Sequence, residues 1–429
     1  MSTRAGILVT GTEVLTGRIS DRNGPWLAER LHEIGVDLAV TTIVGDRRAD
    51  MLAALASMAG LQLDLIVTSG GLGPTADDLT ADAVGEFQQR EMVLDEGLEE
   101  RIAEILRPLA KRWRNLDENA IRAANRKQAV IPAGSDILDP VGTAPGLVVP
   151  PADGQRGPTI LVLPGPPREL QPMWRSAMDS PALRAAIANA GSFEQHTMRL
   201  FGIPESEIAE TLRAAAAAGV DLAPLEITTC LKRGEIEVVT RYEDGAGSAY
   251  GRLRDFIAAR HPQALFSTDG ATIDEQIARE LRERGATIAT GESCTGGLLA
   301  GRLTELAGAS DYFLGGLVTY SNEAKHALAG VERGLIERHG AVSEEVALAL
   351  ADGARERLGA DLGVGVTGIA GPGGGSEEKP VGLVWFAVTD AGARRARSVT
   401  LPGGRADVRD RATTVALHIV RAFLAESAR

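Results

Sequence analysis

Over residues 5–69 short apolar runs alternate with stretches of helical apolar spacing, and no other feature restricts the fold as strongly. Residues 5–10, 36–44 and 63–69 read as strands, with a helix over 25–34 and an amphipathic helix over 48–59 between them. Strands alternating with helices imply an α/β fold with a mostly parallel sheet covered on both faces. In such sheets ligands bind beyond the carboxyl ends of the strands, where loops meet helix N-termini.

Two loops fall at such ends. One is G-T-E-V-L-T-G-R-I-S-D-R-N, ending at Asn23, and the other is G-G-L-G-P-T-A-D-D-L-T over residues 70–80. In the second, Gly70, Gly71 and Gly73, with Thr75, can bare backbone amides to an anion. Asp77 and Asp78 can hold a divalent ion that bridges phosphates. The alternative is that the two aspartates complement the dipole of the following helix.

Further on, G-E-S-C-T-G-G at 291–297 follows a short apolar run and precedes helical spacing, so Ser293 sits on a strand-to-helix turn. Unpartnered amides at a helix start suit an oxyanion or a phosphate, and Thr295, Gly296 and Gly297 would supply them. A hydroxyl here can equally cap the helix. Lys325, in Y-S-N-E-A-K, is one of only five lysines (111, 127, 232, 325, 379) among 45 basic residues. A desolvated lysine can lose its proton and activate a hydroxyl, which arginine cannot do. A solvated helix lysine is the competing reading. The loop G-I-A-G-P-G-G-G-S at 368–376, which includes Gly371, makes either an anion nest or a flexible turn. Arg405 and Arg409 share one face at the start of the last helix, within reach of one phosphate, or form a solvated face. Cys294 is the rival nucleophile, or a packed thiol.

Composition narrows the function classes. The net charge is −13 and the acidic excess is spread along the whole chain, giving little electrostatic support for nucleic-acid or anionic-membrane binding. Two distant cysteines fit a reducing, cytoplasmic compartment. The N-terminal apolar run is too short for a signal peptide, and no apolar stretch approaches about 18 residues. Three domains are expected, over 1–175, 176–267 and 268–429. The middle one reads as a small α+β module, with helices over 176–190, 205–218 and 248–260. It has no G-x-x-G loop to clamp a nucleic-acid backbone. His196 and His261 read as surface or boundary residues.

The first two motifs, followed in order by L-P-G-P-P-R-E-L at 163–170, resemble the molybdopterin-binding fold found at the N-terminus of the CinA family. G-E-S-C-T-G-G, Y-S-N-E-A-K, G-A-V-S, V-T-G-I-A-G-P and P-G-G-R-A-D-V-R resemble that family's C-terminal domain, similar to nicotinamide mononucleotide (NMN) deamidases. For the N-terminal domain the resemblance implies metal-dependent hydrolysis of ADP-ribose, the metal being unidentified. For the C-terminal domain it implies cofactor-free NMN deamidation. The nucleophile maps to Ser293, with support from Tyr320, Lys325, Thr367 and either Arg405 or Arg409. An acidic residue expected before that arginine is missing. The resemblance also suggests a KH-type connector in the middle, acting as spacer or in a homodimer, and no direct contact with nucleic acid or membrane. A scaffold role in DNA uptake, or nucleotide transfer to molybdopterin, are the alternatives.

Overall fold

The computed structural model describes residues 3–110 and 118–427, which leaves Lys111 outside. The chain divides into two compact units, Met1–Glu194 and Gln195–Arg429.

The first unit is built on a six-stranded sheet ordered Asp37–Val44, Arg4–Thr10, Leu65–Ser69, Thr159–Leu163, Gly146–Val149, Asp136–Leu138. The first four strands are parallel and the last two antiparallel to their neighbours. Successive side chains of a strand point to opposite faces, and here both faces are apolar. Ile7, Val67 and Leu161 pack with Leu27 and Leu31 on one face; Leu8, Ile66 and Val162 pack with Leu55 and Met58 on the other. The expected helix over 48–59 is found as Arg48–Ala59, and the one over 25–34 as Asn23–Glu33. The single helix expected over 176–190 is instead two, Pro167–Ala177 and Pro181–Ala186. Pro181 has no N–H to continue a helix, and Ser180 caps the second one by accepting from Leu183 N.

The second unit holds two sheets. A four-stranded one runs Glu226–Lys232, Glu235–Glu243, Phe193–Phe201, Leu265–Ser267, and the first of these strands was not expected from the sequence. His261 is buried rather than superficial, with Nε2 2.7 Å from Thr211 Oγ1. A five-stranded sheet is ordered Phe313–Val318, Ile288–Glu292, Leu362–Gly368, Leu383–Thr389, Arg394–Thr400. Its first three strands are parallel. The two sheets meet at a buried pair, His418 Nε2 and Glu235 Oε1, 2.6 Å apart.

Gly291, Gly363 and Gly365 form a floor on the central strands, and the helix Glu344–Leu358 lies directly on it. A methyl at Gly365 would come within 2.0 Å of the Ala347 carbonyl, one at Gly363 within 2.0 Å of Ala351, and one at Gly291 within 2.6 Å of Leu350. Helix and sheet therefore touch backbone to backbone. Ser343 caps this helix and Thr272 opens the Ile273–Arg284 helix with a complete capping box. Among the described residues no helix is long and apolar enough to cross a membrane.

Overpacking this contact should destabilise the unit. Gly365→Ala is expected to lower stability by about 1–3 kcal/mol, read as a lower urea midpoint with an unchanged m-value.

Candidate active site

Ser293 directly follows the strand Ile288–Glu292, and its amide donates to Val366 O at 2.8 Å, holding the turn against the neighbouring strand. The turn then folds back on Glu292, whose carboxylate is 1% exposed. Glu292 Oε2 accepts from Gly297 N (2.9 Å) and Leu299 N (3.1 Å), and Oε1 from Ala300 N (2.8 Å) and Thr290 Oγ1 (3.2 Å). A buried carboxylate needs such donors, and the helix Leu298–Leu303 offers its unpaired first amides. Gly297, at φ 92°, adopts the left-handed backbone that makes this reversal possible.

Two of the three amides expected to face an oxyanion are already committed. Gly297 N is taken by Glu292 and Gly296 N donates to Ser293 O at 3.1 Å, so neither amide is open to a ligand. Thr295 is fully buried, and its Oγ1 has no hydrogen-bond partner among the described residues.

Lys325 comes from the first turn of the helix Asn322–Ala329, which Ser321 caps by accepting from Ala324 N. It is 1% exposed, so the solvated-lysine alternative fails. Its Nζ lies 3.0 Å from Ser293 Oγ, and donates to Thr319 O at 3.0 Å and Tyr320 O at 3.4 Å. A neutral amine has two N–H groups and one lone pair. Were Lys325 neutral, the two carbonyls would take its N–H groups and the lone pair would face the serine hydroxyl. Burial holds the Lys325 ammonium below its usual range, since desolvation penalises the charged form. No arginine contributes to that lowering.

The other predicted residues divide. Tyr320 is 59% exposed; its hydroxyl accepts from Arg405 Nη2 at 2.6 Å and does not bond the Ser293–Lys325 pair. Arg405 also donates Nη1 to Gly371 O at 2.9 Å, which joins the glycine-rich loop to the last helix, Arg405–Ser427. Arg409 donates Nε to Cys294 O (3.0 Å) and Nη2 to Thr295 O (2.9 Å), bracing the nucleophile turn from behind. Thr367 is fully buried and its hydroxyl donates to Ala341 O at 2.7 Å, so it holds a loop and not the serine. Lys379, whose Nζ donates to His339 O and Val342 O, holds the same loop.

In the first unit the predicted residues line a cavity of about 630 Å³: Asn23, Gly70, Gly71, Gly73, Thr75, Asp77 and Asp78 all border it. Gly71 must be glycine, at φ 66° and with an added methyl 2.1 Å from Thr80 Oγ1. Asn23 has both amide hydrogens committed, to Ser69 Oγ (2.8 Å) and Gly165 O (2.6 Å), so a ligand would meet only its carbonyl oxygen. Asp78 accepts from Thr75 N (2.9 Å) and Thr75 Oγ1 (2.5 Å), and thereby shapes its own loop. Among the described residues no group of three or more His, Cys, Asp or Glu converges as a metal cage. Exposed Asp77 and the second oxygen of Asp78 are carboxylate oxygens of the kind that would hold a hard divalent cation, and two residues alone would leave most of its shell to water or ligand.

Glu292 and Lys127 escaped the sequence reading. Lys127 Nζ donates to the carbonyls of Thr75 and Asp78, fixing the glycine-rich loop from outside. The scarcity of lysine that singled out Lys325 applies equally to Lys127.

Fold and sites together define a chain that joins a molybdopterin-binding-type α/β domain to an α/β unit carrying a buried serine–lysine pair. Residues 6–185 match the family model described as "Probable molybdopterin binding domain", and residues 270–424 match "CinA C-terminal domain". The chain is similar to the "CinA-like protein" of Mycobacterium sp. (strain JLS), 58% identical over 425 residues, covering 99% of each chain. It is 56% identical over 425 residues to that of Mycolicibacterium vanbaalenii, again covering 99% of each. A crystal structure of the competence/damage inducible protein CihA from Agrobacterium tumefaciens matches 35% of this chain and 92% of its own, at 43% identity and a TM-score of 0.34. The chain belongs to the CinA-like protein family.

Cys294, the rival nucleophile, is buried, and burial pushes its thiol up to about 11. At pH 8 roughly one such thiol in a thousand is ionised. Iodoacetamide at pH 8 should therefore label exposed Cys230 and leave Cys294 unmodified, as peptide mass spectrometry would read.

Proposed function

We propose that the unit carrying Ser293 is a serine amidohydrolase that converts NMN and water to nicotinate mononucleotide and ammonia. The observation that carries this reading is the 3.0 Å approach of a buried lysine to a serine hydroxyl at a strand-to-helix turn. Lys325 takes the hydroxyl proton as Ser293 attacks the carboxamide carbon, then returns it to the departing ammonia. Water cleaves the acyl-serine with Lys325 again as base. Among the described residues Arg405 pairs with a carbonyl and the Tyr320 hydroxyl and with no carboxylate, so its charge supports recognition of the nucleotide phosphate.

Lys325→Arg keeps a charge but cannot release a proton, so deamidation should fall by at least about 10²-fold, as in Lys325→Ala. Steady-state kinetics would decide it; an arginine variant with most of its kcat would show that only charge matters. Because the neutral amine is the active form, kcat/KM should rise with pH through a lysine pKa lying below the ordinary 10.5. Between that lowered value and 10.5 the unfolded chain binds the extra proton, so stability should also rise with pH in this window.

For the first unit we propose hydrolysis of ADP-ribose to AMP and ribose 5-phosphate. The glycine-rich loop bordering a cavity large enough for a nucleotide supports this, together with the paired carboxylates. A divalent cation bound between Asp77, Asp78 and the substrate would neutralise pyrophosphate charge. Excess chelator should abolish turnover in the full chain and Asp77→Asn should weaken it, while NMN deamidation persists. ADP-ribose turnover unchanged by chelator would remove the metal from the reading.

A further inference from the structure

One carboxyl group in the ADP-ribose cavity stands apart from the rest. Glu169 is the third residue of the helix Pro167–Ala177, the position from which a glutamate ordinarily reaches back to the N-cap amide. Here the N-cap is Pro166 and the next residue is Pro167, so neither position has an N–H. The Glu169 side chain, 13% exposed, is thereby left bordering the cavity. Its carboxylate lies against the loop after the strand Asp136–Leu138, where a methyl added at Gly142 would sit 2.5 Å from Oε1. Among the described residues its one ion-pair partner is Arg168, 3.8 Å away and 86% exposed, on the same helix.

The other acids that line the cavity are committed or open to water. Asp21 accepts from Asn23 N and Gly24 N, Asp46 from Thr12 N and Oγ1, and Asp78 from Thr75. Glu13 and Asp77 are exposed. Among the described residues that line the cavity, Glu169 alone combines a largely buried side chain with a carboxylate that no hydrogen bond ties to the loops. Burial, the larger influence on it, raises its carboxyl above the usual 4.5, against the opposing effect of Arg168.

We infer that Glu169 is the general base of this cavity, taking a proton from the water that attacks the pyrophosphate. The inference rests on the ADP-ribose reading above. The water oxygen bonds to one phosphorus, the bond from that phosphorus to the bridging oxygen breaks, and its electron pair leaves on the other phosphate. The water proton passes to the Glu169 carboxylate and on to solvent. Below its pKa Glu169 is protonated and cannot act, so the rate falls on the acid side.

The test uses the full-length protein with ADP-ribose and Mg²⁺. Glu169→Gln should lower kcat by at least about 10²-fold with KM within about twofold, and should lose the acid limb of the pH profile. In Glu169→Ala, added formate should restore turnover at least about tenfold, a rescue that a packing role would not give. Unfolding midpoints check that the variants fold; should they not, a wild-type pH profile without an acid limb overturns the assignment by itself. An active wild type whose Glu169→Gln variant keeps more than a tenth of kcat overturns the role of Glu169 alone. A wild type that turns over no ADP-ribose overturns the parent reading with it.

Discussion

The candidate amidase site depends on a carboxylate buried at the end of a strand. Glu292 is held by three backbone amides and a hydroxyl, and those bonds draw the start of a six-residue helix back onto the sheet. Hydrogen bonds to a charged acceptor are stronger than neutral ones, and a buried charge without them would be costly. The chain between Glu292 and Gly297 must therefore make a tight reversal, and Ser293 lies at its start. A helix this short could not fix the reversal by its own backbone bonding. Arg409 reinforces it by donating to the carbonyls of Cys294 and Thr295.

Lys325 needs the same rigidity from another direction. Its two carbonyl partners, Thr319 and Tyr320, follow the strand Phe313–Val318, and Thr319 N donates back to Glu292 O at 2.7 Å. One carboxylate residue thus ties down both the turn that bears Ser293 and the segment that orients Lys325. Beneath them the Glu344–Leu358 helix rests on glycines 291, 363 and 365, so the strands that bear the site are fixed against a helix backbone without intervening side chains. Backbone contact leaves little room for rotameric adjustment, which suits a pair whose donor-to-acceptor distance has to be held.

Much of this was legible in the sequence. The order of strands and helices in the first 69 residues, the turn at Ser293, the capping box at Thr272 and the isolation of Lys325 all follow from local periodicity and composition, which a single segment contains. What the sequence left illegible is which partner each polar group takes, near or far along the chain. An isolated helix start has unpaired donors, which makes the amides of Gly296 and Gly297 read as open; the fold commits the first to Ser293 O and the second to Glu292. Asn23, Asp78 and Thr367 have the chemistry of ligand-binding groups but spend hydrogen bonds on Ser69, Thr75 and Ala341 respectively. The helix break at Pro181 was locally visible and was missed because the alanine-rich composition around it favours helix.

Arg405 and Arg409 show how far a pattern can separate two residues of one kind. Four positions apart, they share a helix face, and sequence assigns either one to a phosphate. Their surroundings separate them. Arg409 is half-buried and donates to two carbonyls of the nucleophile turn, so an anion that recruited it would have to release that turn. Arg405 is exposed, and its partners, a Gly371 carbonyl and the Tyr320 hydroxyl, belong to segments outside the turn. An anion binding to Arg405 exchanges neutral acceptors for a charged one and leaves Ser293 undisturbed. The division follows from which carbonyls lie within reach of each guanidinium, and that is set by the close approach of the last helix to the turn.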